Sequence, residues 1–544
     1  MDTETRGAQG QAGFKPRPGR WLMLATLMAA LALSLLDRQV LTILAGPIKA
    51  DLGLSDADVG LLIGTTFAVF YALLGIPLGR LADSWTRTRM VVLGLLGWSV
   101  MTMFSGLARN LWQLAIARTV VGIGEASANP AAYSLISDSF PKRQRATALA
   151  IYSTGVAFGL GASLWFGGAI VDLWNGWYPH GGAPFGLKGW QVAFLAVGAP
   201  GLFLALLMAW MREPAREGAG ASAIAVSPFL GFWAELFAIV PPFTLLNLAR
   251  LRAPRRTWIV HIAVLVAIVA TAAGMIWLTN TITPPAKHRA MFTIDGMAIT
   301  GHAIHWTALA TGIYGIFSWA QSLRLRDAAA YALIFRSPPM LALLAAAALE
   351  MFTNYGLTSW APFYAVTTYK LPLATVGFEM GVVAALAGII GTNLGGVLAD
   401  FFGHGDPRGR LYVSLAAMTL PVPIVPIMLK ATTLTGMLEW WMLVGTLVTA
   451  WLAPAAATAQ ELVLPRMRGT CAAALTLAMT MIGLGLGPYT AGLVSDVTGD
   501  LFTGIMSVYA VVPILVACMI VVIATVSRQE AKVASFSAAA AADD

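Results

Sequence analysis

A chain of 544 residues that is 58% hydrophobic and only 11% charged lacks the composition of a water-soluble domain, in which about a quarter of the residues carry charge. Mean hydropathy is +0.75, so lipid is its principal solvent. The net charge of +8 is no nucleic-acid footprint, because the basic residues lie in short clusters between apolar runs, where membrane topology puts them.

Residues 1–20 are polar and basic, and the apolar run that follows is too long for a signal-peptide core and has no small-residue cleavage site behind it. It reads as the first span. At about 20 mostly apolar residues per span, helices are predicted near 21–47, 58–79, 90–108, 112–137, 146–171 and 191–211, and a second set near 338–365, 374–400, 411–430, 437–459, 470–494 and 502–526. Two more apolar stretches, about 257–279 and 303–320, lie between the sets and bring the expected total to fourteen. The chain thus divides into a tail (1–20), a six-helix bundle (21–214), a linker with two inserted helices (215–336), a second six-helix bundle (337–527) and a tail (528–544). Residues 225–250, interrupted by Pro241 and Pro242, are expected to form an interfacial helix, and the Ala-rich tail after Arg528 is expected to be disordered. Cys471 and Cys518 sit in or beside apolar runs without disulfide or metal spacing and read as packing residues.

Lysine and arginine test this map, because cytoplasmic loops hold the excess. Arg6, Lys15, Arg17 and Arg20 begin on one side, and Arg80, Arg87, Arg89, Lys142, Arg143, Arg145, Arg212, Arg216, Arg250, Arg252, Arg255 and Arg256 return to it. Arg324, Arg326, Arg336, Arg408, Arg410, Arg466, Arg468, Arg528 and Lys532 do the same, leaving Lys49, Arg109, Lys188, Lys287, Arg289, Lys370 and Lys430 opposite. Both termini are expected in the cytoplasm, in a multi-pass protein of the cytoplasmic (inner) membrane. An inserted pair keeps the second half the same way up.

Self-similarity at one offset organises the chain. Gly79, Leu81, Ala82 and Asp83 reappear 317 residues later as Gly396, Leu398, Ala399 and Asp400, and Val59, Gly60 and Gly64 as Val376, Gly377 and Gly381. A looser echo sets Pro141-Lys142-Arg143 against Pro465-Arg466-Met467-Arg468. Parallel repeats of this kind place a binding site between the halves near the bilayer midplane.

A charged side chain at the centre of a span costs about 2.5–3.5 kcal/mol on the lenient scale, so each one needs a reason. The first span carries Asp37 and Arg38, the fourth Arg118 and Glu125, seven apart and nearly on one face, and the seventh Glu350 with Asn354 a turn later. At about 1.5 Å of rise per residue, Asp37 and Arg118 lie at similar depth and can pair, with Glu125 deeper. Asp37 and Glu125 are the proton-coupling candidates; Arg38 and Arg118 either gate their ionisation or hold an anionic head group. The bland alternative is buried pairs that fix packing. At the repeat offset Asp37-Arg38 maps onto Asn354-Tyr355, which implies a cavity charged on one side and amide and aromatic on the other, with Trp360 a further candidate for its lining.

Gly79-Arg80-Leu81-Ala82-Asp83-Ser84-Trp85-Thr86-Arg87-Thr88-Arg89 resembles the loop motif of the major facilitator superfamily, with Ser84 where an arginine is usual. The glycine is expected to permit close helix approach, and Asp83 to cap a helix or meet arginine. Gly79, Asp83, Arg87 and Arg89, with Gly396, Asp400 and Arg408 in the second half, are the candidate cytoplasmic gating loops. Within the superfamily, Leu36-Asp37-Arg38, Val59-Gly60-Leu61-Leu62, Trp98-Ser99, Ala117-Arg118, Val121-Gly122-Ile123-Gly124-Glu125-Ala126, Pro130 through Asp138, Phe140-Pro141 and Ile482 through Pro488 resemble Spinster-like proteins. That resemblance implies a proton-linked carrier of amphipathic lipids such as lysophospholipids or sphingoid phosphates, with Asp37-Arg38 and Glu125 as its key groups. It does not cover residues 215–335. The chain is expected to work as a monomer in the bilayer, with no cofactor beyond the proton gradient.

Another organic anion or an aromatic compound is the alternative cargo, and a receptor or scaffold on a transporter fold the alternative class. Enzyme chemistry is not expected, since neither a nucleophile and base nor a phosphate-binding glycine loop is apparent. His302 and His305, three apart without a third ligand, read as peripheral packing rather than a metal pair.

Overall fold

The computed structural model describes residues 19–216, 229–287, 290–406 and 408–542. The expected tail with Arg6, Lys15 and Arg17, the linker stretch 217–228 and Arg289 lie outside them. Spans begin where the sequence offers caps. Ser55 opens α2 with a reciprocal box, its hydroxyl accepting from Asp58 N at 3.1 Å while Asp58 Oδ2 accepts from Ser55 N at 3.2 Å. Gly53 and Gly499 close helices in the left-handed conformation at φ 61° and 73°.

The first half comprises α1 (Arg20–Leu52), α2 (Asp56–Ser84), α3 (Arg87–Ser105), α4 (Leu111–Glu125 and Ala128–Ser139), α5 (Lys142–Trp177) and α6 (Gly189–Ala209). An insertion follows: α7 (Phe229–Ile239), α8 (Phe243–Arg250), α9 (Arg255–Ile282), a hairpin of β1 (Ala290–Ile294) and β2 (Met297–Thr300), α10 (Gly301–Arg326) and α11 (Ala328–Phe335). The second half is α12 (Pro338–Tyr369), α13 (Leu373–Phe402), α14 (Arg408–Leu429), α15 (Leu434–Glu461), α16 (Pro465–Thr498) and α17 (from Leu501 through Ala542, with a short 3-10 turn at Val508–Val511). Asp56 and Leu373, which start the second span of each half, stand 317 apart, so the sequence repeat is a repeat of structure.

Among the described residues, twelve helices are long and apolar enough to cross a membrane, or thirteen if α7 and α8 count as one broken span. The expectation of fourteen is corrected to that extent. Helices stand at the two remaining positions, but α4 carries Arg118 and Glu125, and α10 carries His302, His305, Gln321 and two terminal arginines; polar side chains take both below that standard. The interfacial helix expected over 225–250 is instead the pair α7 and α8, bent by 112°. The tail after Arg528 is helical to Ala542, as alanine's helix propensity allows.

Small residues set the packing. A Cβ on Gly391 would lie 2.1 Å from Thr446 O, and one on Gly122 2.7 Å from Phe67 O, so α13 meets α15, and α4 meets α2, backbone to backbone. At Gly79 and Gly396 an added Cβ meets nothing within 4 Å, which overturns the close-approach role expected of the motif glycines. The inserted α9 buries little: Val266, Val269 and Trp277 are exposed, as befits a face in lipid.

Gly391→Ala should therefore overpack the second half and lower stability by about 1–3 kcal/mol, read as a fall in the thermal midpoint of detergent-solubilised protein. Gly79→Ala and Gly396→Ala should leave the midpoint in place; equal losses at all three would refute this assignment of contacts.

Candidate functional site: a charge tetrad at the seam

Asp37 and Arg38 are adjacent on α1, so their side chains leave the helix about 100° apart and reach different levels of α4. Arg118 Nη1 lies 3.3 Å from Asp37 Oδ1, and Arg38 Nη2 lies 2.8 Å from Glu125 Oε2. Ser34, one turn before Arg38, donates its hydroxyl to the same Glu125 oxygen at 2.7 Å. Phe67 of α2 stands between the cations, its ring centre 4.4 Å from the Arg38 guanidinium and 5.9 Å from that of Arg118, with Tyr71 5.0 Å from Arg38.

The string Val121-Gly122-Ile123-Gly124-Glu125 makes this possible. Gly122 admits Phe67 and Gly124 admits Trp98 of α3, a Cβ there falling 3.0 Å from Trp98 Cβ; the first piece of α4 then ends at Glu125.

Asp37, Arg118 and Glu125 are each at most 2% exposed, whereas the Arg38 side chain keeps 16%. The four charges sum to zero, the condition under which burial is tolerable. Their hydrogen bonding is nonetheless incomplete: among the described residues Asp37 Oδ2, Arg38 Nε, Arg118 Nε, Arg118 Nη2 and Glu125 Oε1 are buried without a partner. Buried orphans on this scale are uncommon. A carboxylate oxygen left open on Glu125 is a place for a proton, and the exposed edge of Arg38 a place for an anion.

From the second half, Tyr355 of α12 packs against the core cluster of the first and stands within electrostatic reach of Arg38. The tetrad is therefore at the seam. Asn354 turns toward α15, donating to Val448 O at 3.5 Å. Glu350 and Trp360 are not brought to the tetrad. Glu350 is buried beside Tyr509 of α17, and Trp360, fully buried, donates to Pro488 O of α16 at 2.9 Å, a packing position rather than a cavity wall.

Among the described residues the latches between the halves gather at one end. Asp496 of α16 accepts from Asp56 N at 3.0 Å and Ala57 N at 2.7 Å, capping α2 of the other half, and Asp172 of α5 accepts from Ala374 N at 2.7 Å, capping α13. Ala57 and Ala374 are repeat mates. Along the same end, Cβ atoms on Gly64 and Gly377 would fall 2.2 Å from Leu484 O and Leu164 O. Among the described residues, Gly60, Gly168 and Gly492 add further backbone contacts across the seam at this same end.

A family model for the Major Facilitator Superfamily matches residues 23–488. The chain belongs to that superfamily. It is a membrane transporter, then, and not an enzyme. Across 92% of its length it is 25% identical to an MFS-type efflux pump of Mycolicibacterium smegmatis, covering 90% of that protein. Over 45% of its length it is 28% identical to human protein spinster homolog 1, covering 45% of that one. It also resembles the crystal structure of a bacterial homolog of the human lysosomal transporter Spinster in an inward-facing, unoccupied conformation, with a TM-score of 0.68 at 24% identity, covering 95% of this chain and 99% of that one.

In this superfamily member the loop motif acts through Arg87. That side chain, 1% exposed, binds Asp138 and Ser134 at the end of α4, Glu213 beyond α6 (3.0 Å) and Pro214 O (3.0 Å). Asp83 and Arg89 are exposed, and no ion pair to Asp83 is seen among the described residues, so the aspartate role expected of the motif falls to Asp138 and Glu213. In the second half Asp400 and Arg408 are exposed, and the ion pair there is Arg410 with Glu461 at 2.7 Å. Sequence reasoning missed Ser34, Asp138, Glu213, Asp172 and Asp496; only the turn spacing of Ser34 from Arg38 was a usable signal.

Burial pushes the Glu213 carboxyl up, but hydrogen bonds from Arg87 and Thr88 outweigh it and hold it below the ordinary carboxylate range. A depressed folded value stabilises above the unfolded pKa of about 4.3 and is lost as pH falls through the folded one. Acidification from pH 6 toward 3 should thus lower the thermal midpoint of the wild type more than that of Glu213→Gln. Parallel curves would dismiss Glu213 as the anchor of this loop.

Proposed function

We propose that the protein is a proton-coupled secondary transporter that moves an amphipathic, anionic small molecule by rocking its halves about the tetrad. The observation that carries this reading is the neutral, incompletely satisfied tetrad at the seam, with one guanidinium edge exposed beside aromatic rings. With both carboxylates ionised, each cation is balanced. A proton on Glu125 leaves Arg38 with an uncompensated charge in a poor solvent, which an anionic head group restores, while Phe67, Tyr71 and Tyr355 offer apolar surface to the rest of the molecule. Proton and anion then favour each other's binding, and by linkage the coupling is reciprocal.

The basic residues Arg80, Arg87, Arg89, Arg145 and Arg410 gather at the end opposite those latches, which the positive-inside rule makes cytoplasmic. On that reading both termini are cytoplasmic, the membrane is the cell's inner membrane, and the conformation is inward-facing. One chain supplies both sides of the seam, so the transport unit is the monomer.

The test starts from whatever amphipathic anion co-purifies, identified by mass spectrometry. Its affinity should rise as pH falls in the wild type and become independent of pH in Glu125→Gln, whose amide imitates the protonated acid. In proteoliposomes the same variant should lose accumulation driven by a pH gradient, a drop of at least tenfold, yet retain exchange. An unchanged pH profile in Glu125→Gln would remove the coupling role.

A further inference from the structure

His302 and His305 are not peripheral. Both project from the first turns of the inserted α10, and His305 is completely buried between α2 of one half and α16 of the other. Its Nδ1 lies 2.6 Å from Thr65 Oγ1, and the Thr65 hydroxyl already donates to Gly485 O at 2.7 Å. The threonine must therefore accept, which fixes the His305 proton on Nδ1.

The other face of the ring stacks on Tyr489 of α16, centres 3.4 Å apart and planes 12° apart, while His302 Nδ1 lies 2.7 Å from the Tyr489 hydroxyl. One tyrosine, 1% exposed, is thus held between two histidines of a helix that belongs to neither repeat. Lower down, α10 follows the same seam: a Cβ on Gly312 would meet both Met481 of α16 and Val69 of α2.

The attachment of α10 is unequal. At its far end Arg326 forms a two-bond pair with Glu235 of α7 at 2.9 and 3.1 Å, and Arg80 of α2 approaches the same carboxylate at 3.7 Å. Gly301 abuts Asp58 and Gly315 abuts Leu73, both of α2. With α2 its contacts run from Asp58 through Val69 to Leu73; with α16 they gather at Tyr489 and Leu493, Gly485 and Met481.

We propose that the inserted helix is a third gate element: α10 travels with the first half, and its two histidines grip Tyr489 to hold the Asp496 end of the seam closed, so that this end opens only when Tyr489 leaves the clamp. The inference rests on the rocking of the halves but on neither proton coupling nor the substrate.

The experiment places spin labels at the exposed Arg109 and Thr432, on either side of the seam at that end, with Cys471 and Cys518 replaced by serine, and reads distances by pulsed electron resonance in nanodiscs. Tyr489→Leu and His305→Ala should each raise the long-distance population several-fold. Tyr489→Phe, which keeps the stack and loses one hydrogen bond, should raise it less. His261→Leu, which breaks the bonds of α9 to Gln321 and Tyr314 away from the seam, should leave it unchanged. A disulfide formed between His302→Cys and Tyr489→Cys with an added copper–phenanthroline oxidant, before thioether-linked labels are attached, should abolish the long distance until reductant is added. An unaltered distribution in the Tyr489 and His305 variants, an equal rise in His261→Leu, or a long distance surviving the cross-link would each overturn the proposal. Failure of coupling at Glu125 would leave these distances as they are and is thereby told apart.

Discussion

Two carboxylates and two guanidiniums share one buried space between α1 and α4, and the rest of the structure accommodates that fact. Each charge alone would cost several kcal/mol to bury, and together they are tolerable only while their sum stays at zero and their separations stay at hydrogen-bonding length. The glycines of α4 exist in that context, since without them Phe67 and Trp98 would hold α2 and α3 too far off to wall the site from lipid. Removing one member leaves its partner uncompensated, typically worth about 3–5 kcal/mol in a buried pair, whereas adding a proton or an anion changes the same balance reversibly. On the proposed function, a site poised in this way converts ligand binding into electrostatic imbalance.

The two halves divide the labour by symmetry. Asp172 and Asp496 are related by the pseudo-two-fold, each capping the second span of the opposite half, and the glycines at the seam face carbonyls in both directions. These symmetric parts make the closing surface. The tetrad is confined to the first half, and its repeat mates Asn354 and Tyr355 carry no charge. Closure needs two matched faces, so duplication serves it; the charge balance is needed once, and a second copy across the seam would double the desolvation cost without adding a new state.

The sequence carried the parts of this that follow from composition and period. Apolar runs, the offset of 317 and the rarity of intramembrane charge located the bundles, the repeat and Asp37, Arg38, Arg118 and Glu125. What it could not carry was rotation about each helix axis. Glu350 and Trp360 sit on the same span as Tyr355, yet they point to α17 and α16 while Tyr355 points to Arg38, and nothing local to the sequence distinguishes those directions. The loop motif misled for a related reason: Arg87 finds its carboxylates at positions 138 and 213, far away in the chain, and Asp83, four residues from it, faces outward. The span expected near 112–137 is present as α4, although the residues that make the site are the ones that spoil its apolarity.

The insertion shows why an even number of added helices need not be a neutral ornament. Satisfying topology requires only that two spans cross and return, and α9, with its exposed apolar face, does little more. Its companion α10 lies instead in the groove where α2 meets α16, and a helix in that position cannot be equally bound to both halves once they move. Among the described residues the seam between α5 and α13 has no such cover, so the pseudo-symmetry that duplication provides is broken on one flank. Whatever separates the halves at the Asp496 end must then do unequal work on the two flanks, a carbonyl-to-glycine contact on one and an aromatic clamp besides on the other, which biases the resting molecule toward closure at that end.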